Sequence, residues 1–214
     1  MRFKHGFSVP LLVCAALMAA AWPASAKPLA IVGFGDSLMA GYNLPPGDGF
    51  TDRLQKALRG RGYDVTVANA GVSGDTTSGG LARLDWSVPD GTDLVILELG
   101  ANDMLRGIDP VEVEKNLDAM LARLKARKIP VLLAGMVAAP NLGHAYAEAF
   151  GAIYPRLAEK YGATLYPFFL DGVAGDASLE LEDGMHPNAA GVDAMVGRIL
   201  PTVEKALDAL PKAQ

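Results

Sequence analysis

Cysteine is almost missing from this chain of 214 residues: the one present is Cys14. It sits in a leader-like segment, so the remainder of the chain has no internal disulfide, no cysteine metal site and no thiolate nucleophile. Histidine is nearly as scarce. Of three, His5 lies in the same leader, which leaves His144 and His186 to move protons near neutral pH and nothing resembling a His-rich metal site. Basic residues, 19 against 24 acidic ones, are scattered except in Arg59-Gly60-Arg61 and Lys125-Ala126-Arg127-Lys128. Without a basic face, a nucleic-acid partner is excluded. No apolar run reaches the roughly 20 residues of a membrane-spanning helix. There is no phosphate-loop lysine. The dinucleotide-like Gly33-Phe34-Gly35-Asp36-Ser37-Leu38 fails where Leu38 replaces the last glycine. No cofactor and no metal are expected.

What is present begins with an address label. Arg2 and Lys4 precede the apolar run Val9 to Ala21, and Ala24-Ser25-Ala26 forms a small-x-small cleavage site before Lys27. That layout is a secretory signal peptide over residues 1–26, and it implies an exported protein, periplasmic or secreted. Loss of Arg2 and Lys4 takes the formal charge from −5 to −7. Residues 27–214 then form one domain, expected to be a monomer with no integral membrane segment, held together by core packing alone.

Apolar runs alternate with amphipathic ones. Strands are predicted at Leu29–Phe34, Val65–Ala68, Leu94–Leu99, Val131–Ala134 and Thr164–Tyr166, the third apolar enough to be covered on both faces. A helix is predicted from Asp109, with Pro110 in its first position and Val113, Leu117, Met120, Leu121 and Leu124 on one stripe. A second carries Tyr146, Phe150, Ile153, Leu157 and Tyr161, with a kink expected at Pro155. A last one comes after Pro187 and buries Val192, Met195, Val196, Ile199 and Val203; Pro201 is expected to bend or restart it. This alternation predicts an α/β domain with a single doubly wound parallel sheet and helices on both faces.

The chemistry starts at Gly35-Asp36-Ser37-Leu38, directly after the first strand, where open α/β sheets place their ligand crevice. Taken alone, Ser37 reads equally well as a helix N-cap. Asp183-Gly184-Met185-His186-Pro187 changes that balance. A carboxylate three residues before an imidazole can accept from Nδ1–H while Nε2 faces a serine hydroxyl, the arrangement that turns a weak nucleophile into a strong one. His144 has no acid close by in a comparable loop and reads as surface or pocket rim. An oxyanion needs donors. Asn102, in Gly100-Ala101-Asn102-Asp103 after the third strand, offers a side-chain amide. In Asn69-Ala70-Gly71-Val72-Ser73-Gly74-Asp75-Thr76 after the second, Gly71 and Gly74 each offer a backbone N–H.

These four blocks, in this order, resemble the GDSL or SGNH hydrolases. The longer runs Ser73-Gly74-Asp75-Thr76, Gly80-Leu81-Ala82-Arg83-Leu84 and Tyr146–Leu157 are similar to the branch that includes the acyl-CoA thioesterase I, lysophospholipase and arylesterase enzymes. The resemblance implies a flavodoxin-like five-stranded sheet ordered 2-1-3-4-5. It implies Ser37 as nucleophile, His186 as base and Asp183 as its orienter. It also implies an oxyanion hole of Ser37 N–H, Gly74 N–H and the Asn102 side chain, favouring Gly74 over Gly71. Met104-Leu105-Arg106-Gly107-Ile108 looks like the branch's mobile acyl-covering loop. Met136-Val137-Ala138-Ala139-Pro140 departs from it, lacking the arginine often found before that proline. The expected activity is hydrolysis of small acyl or aryl esters and thioesters, with Met104, Leu105, Ile108, Met136, Val137, Pro140 and Leu142 holding the apolar group. A carbohydrate deacetylase of the same family would want a wetter pocket, and a non-catalytic exported binding protein would keep the fold without the rate.

Overall fold

The computed structural model describes residues 27–211; the leader, with Cys14 and the cleavage site, lies outside the described residues. Five apolar segments become the strands β1 (Leu29–Gly35), β2 (Val65–Gly71), β3 (Leu94–Glu98), β4 (Val131–Ala134) and β5 (Thr164–Tyr166). They pair in parallel in the order β2-β1-β3-β4-β5. Every residue of β3 is buried, as a strand covered on both faces requires, whereas β2 at the sheet's edge is largely exposed.

The helices are α1 (Ser37–Ala40), α2 (Phe50–Gly60), α3 (Thr77–Ser87), α4 (Ala101–Leu105), α5 (Pro110–Ala126), α6 (His144–Gly151), α7 (Ile153–Tyr161) and α8 (Ala189–Asp208). A 3-10 turn spans Pro140–Leu142. Helix α2 packs on α8, and α5 packs between α3 and α7, giving the two layers of a doubly wound fold. Asp109 caps α5 through Val111 N–H with Pro110 just inside, and the predicted stripe from Val113 to Leu124 is buried.

The two prolines act differently from each other. The segment around Pro155 is two helices rather than one kinked helix, and the break falls at Ala152, ahead of the proline. The proline ring excludes a helical carbonyl four residues back, at Gly151, so the chain ends one helix there. Pro155 then occupies the first turn of the next, where its missing N–H costs nothing. Pro201 neither stops nor restarts α8, which runs unbroken from Ala189 to Asp208. The buried face on both sides of the proline, Val192 to Ile199 and then Val203 to Leu207, outweighs one lost hydrogen bond.

The strand ends are tied by one side chain. Arg83, buried on α3, donates through Nη2 to Gly35 O at 2.9 Å, through Nη1 to Ala70 O at 2.8 Å, and through Nε to Asp75 at 2.6 Å. Its guanidinium also lies 4.0 Å from the Phe34 ring centroid. The ends of β1 and β2 and the loop after β2 are thereby fixed relative to each other. Close packing adds to this at Gly71, where a Cβ would collide with the backbone of Ala40. Gly71→Ala should therefore cost about 1–3 kcal/mol of stability through overpacking, read as a lower midpoint in chemical denaturation at unchanged slope.

Candidate active site

The turn after β1 sets the first group. Asp36, not Ser37, is the N-cap of α1: its Oδ1 accepts Leu38 N–H at 3.0 Å. Ser37 takes the first helical position, so its backbone N–H has no helical carbonyl to bond. Its hydroxyl is also spared from capping. Instead Ser37 Oγ lies 2.8 Å from His186 Nε2, across 149 residues of sequence.

The loop ahead of α8 sets the second and third. Asp183 Oδ1 accepts the backbone N–H of both Met185 and His186 at 3.0 Å, and Oδ2 receives His186 Nδ1 at 2.7 Å. A carboxylate only accepts, so Nδ1 carries the proton and Nε2 presents its lone pair to Ser37. Those bonds, the His186 N–H first among them, hold the Asp183 carboxyl down at about 2. The Tyr42 ring, centroid 4.5 Å from the imidazole, packs against His186 and limits its rotation. A hydroxyl so arranged can pass its proton to the imidazole as it attacks an electrophilic carbon.

Candidate oxyanion donors share the cavity with the hydroxyl. Asn102 on α4 lines the same cavity as Ser37, and its amide donates one N–H to Asp36 Oδ2 at 2.9 Å. Nothing in the sequence pattern signals that restraint; the second amide hydrogen is left for a substrate. Gly74 has φ +80° and its carbonyl accepts from Arg106 at 2.9 Å, pinning the residue at the cavity wall. Gly71 is engaged elsewhere, its N–H spent on Asn69 Oδ1 at 2.9 Å.

The cavity itself, about 630 Å³, is walled mainly by apolar side chains, among them Met104, Leu105, Met136, Val137 and Pro140. Two of the expected residues stand apart from these walls. Ile108 turns inward to pack on the core, with its carbonyl bonded by the Tyr146 hydroxyl at 2.9 Å, and Leu142 likewise packs against the core. Neither lines the cavity. Phe168, Leu170, Ala174 and Met185 also line the cavity and were missed. Phe168 and Leu170 come after β5 and could have been found by applying the strand-end rule to the last strand as well. His144 stands at the start of α6 with its side chain 94% exposed, 3.7 Å from Glu148 and outside the cavity. Among the described residues no three His, Cys, Asp or Glu side chains group as a metal site needs.

Comparison with known proteins fits this geometry. The model of the GDSL-like lipase/acylhydrolase family matches residues 34–194. The chain belongs to this family. It is an ester hydrolase of the SGNH type. It is 40% identical to the esterase TesA of Pseudomonas aeruginosa over 91% of this chain and 96% of that protein. It is 38% identical to the Escherichia coli K12 thioesterase 1/protease 1/lysophospholipase L1, over 72% of this chain and 73% of that one. Among solved structures, the SGNH-hydrolase family esterase AlinE4 superposes with a TM-score of 0.72 at 48% identity, covering 86% of this chain and 99% of that one.

The Asp183 carboxyl, held at about 2 against an ordinary 3.8, also has a stability consequence. A lowered carboxyl contributes stability above its unfolded value and loses it as pH falls through the folded one. Acid unfolding between about pH 4 and pH 2 should therefore be less steep in Asp183→Asn than in the wild type, measured by circular dichroism against pH.

Proposed function

We propose that the protein is an exported serine esterase that cleaves carboxylic ester and thioester bonds of acyl or aryl substrates. The observation that carries this reading is the 2.8 Å contact between Ser37 Oγ and His186 Nε2, with Asp183 on the far side of the imidazole. Ser37 Oγ adds to the substrate carbonyl while its proton moves to His186 Nε2. The tetrahedral oxyanion is received by the N–H groups of Ser37 and Gly74 and the free amide hydrogen of Asn102. Collapse expels the alcohol or thiol, which takes the proton from His186, and leaves the acyl group on Ser37 Oγ. A water molecule then gives a proton to His186 as its oxygen adds to the acyl carbon, and collapse breaks the bond to Ser37 Oγ, which takes that proton back from His186 as the acid leaves.

The apolar cavity walls support an acyl or aryl group over a sugar. Leu105 and Val137 line the cavity and are exposed to solvent. With Val137, Ala138 and Ala139 as the side chains ahead of Pro140, that wall has no fixed cation, which suits an uncharged tail. Export rests on the leader of residues 1–26. Among the described residues no helix is long and apolar enough to cross a membrane. Thioester, lysophospholipid and aryl ester cleavage are variants of one acyl transfer, and the leader favours an acyl donor met outside the cytoplasm.

Ser37→Ala and His186→Ala should each lower kcat by on the order of 10⁴- to 10⁶-fold, with Asp183→Asn retaining more activity and His144→Ala near wild type. A fluorophosphonate should label the folded wild type and not Ser37→Ala; an unlabelled wild type would point to a binding protein. Purified protein should turn over p-nitrophenyl esters in preference to acetylated sugars, and the opposite preference would make it a deacetylase.

A further inference from the structure

Beside Asp36 lies a carboxyl that the proposed chemistry does not use. Glu98 ends β3 and is wholly buried. Its Oε2 accepts Asp36 N–H at 3.2 Å, while Oε1, also buried, has no hydrogen-bond partner among the described residues. That bond sets the Glu98 carboxyl beside Asp36, whose own carboxyl is buried too. Among the described residues neither takes part in an ion pair. Gly35 reflects the same crowding. Its φ is not left-handed, yet any Cβ there would run into the Glu98 carboxyl and carbonyl oxygens.

Two ionised carboxylates cannot share such a place. Out of water each loses its hydration, and their repulsion is poorly screened. One proton held between them removes the repulsion and one of the two losses of hydration, and the surrounding donors decide which carboxyl keeps it. Asp36 receives Leu38 N–H on Oδ1 and the Asn102 amide on Oδ2, and positive charge on His186 favours its ionised form. Glu98 receives a single N–H.

We propose that Glu98 is a positioning residue held as the neutral acid, donating its carboxyl proton to Asp36 and thereby locking Asp36 as the acceptor that orients the Asn102 amide. This deepens the reading of Asn102 as an oxyanion donor and rests on it. With one amide hydrogen tied to Asp36, the amide plane is fixed before substrate arrives, and the second hydrogen needs no reorganisation to meet the oxyanion. The Asp36 charge also favours the imidazolium that forms when His186 takes the serine proton. The other charged or titratable groups near the pair are Tyr154 from α7, Asp75 from the loop after β2 and Arg83 from α3, whose guanidinium is taken up by Gly35 O, Ala70 O and Asp75. Burial, then the Asp36 charge, pushes the Glu98 carboxyl well above the usual range; burial pushes Asp36 up to about 6 against the pull of its donors.

Infrared difference spectra of wild type against Glu98→Gln at neutral pH read the proton directly. The expected result is a carboxylic acid C=O band in the wild type that the variant lacks; its absence from the wild type overturns the proposal. Kinetics read the positioning. Glu98→Gln keeps an N–H donor toward Asp36 and should hold kcat within about threefold of wild type. Glu98→Leu keeps the volume but removes the donor, and should lower kcat about 10- to 100-fold at nearly unchanged KM. That loss should vanish in an Asn102→Ala background, because Glu98 acts through Asn102. An equal loss in both backgrounds overturns the positioning role. Should the leucine variant not fold, a folded Glu98→Gln that loses activity does the same. An Asn102→Ala enzyme with undiminished kcat overturns the oxyanion reading instead, and is told apart by an intact infrared band.

Discussion

The hydrogen bond between Ser37 and His186 is the contact on which the rest of the site depends, because it joins two groups that only the whole fold brings together. One sits on the turn after the first strand, the other on the loop before the last helix. Neither has chemical consequence alone: a serine hydroxyl is a poor nucleophile, and an imidazole in a loop is a surface base. The sheet makes the contact reproducible. Parallel strands all end at one edge, so β1, β2 and β3 deliver Ser37, Gly74 and Asn102 to the same side. Helix α8, anchored by Asn188 to the carbonyls of Ser178 and Glu180, then fixes the loop that carries Asp183 and His186.

Around this contact the protein places restraint before reactivity. Arg83 binds two strand-end carbonyls and the Asp75 carboxylate, and Asp103 takes both the N–H and the hydroxyl of Thr77 at the start of α3. Arg106 holds the carbonyl of Gly74. These bonds cross from one strand-end loop to the next, so each loop is positioned by its neighbours rather than by its own stiffness. Preorganisation of that kind is what a developing oxyanion requires, since donors that must first rearrange stabilise it less.

Much of this was legible in the sequence. The strand runs stand out as apolar segments. Short turns rich in glycine mark where each strand delivers a polar group, and the Asp183–His186 spacing is a local signal. The parts that escaped depend on packing between distant segments. Ile108 looks like a wall residue on polarity alone, yet the Tyr146 hydroxyl fixes its carbonyl and the side chain packs inward. Phe168 and Leu170 belong to a loop with no motif, and only the sheet order brings it to the cavity. Pro155 signals a disruption but not its position, because its ring acts on the residue four places earlier. Asp36 and Glu98 each look ordinary, and their conflict exists only because β1 and β3 are neighbours.

The separation between Ser37 and His186 has a consequence in time. A parallel sheet is assembled from contacts distant in sequence, and such contacts form late. Until α8 docks against α2, the hydroxyl has no base, and a newly made or still extended polypeptide carries no working nucleophile. The same dependence makes the stretch between β5 and α8 a point of failure: a single protease cut there can leave the sheet standing and silence the protein.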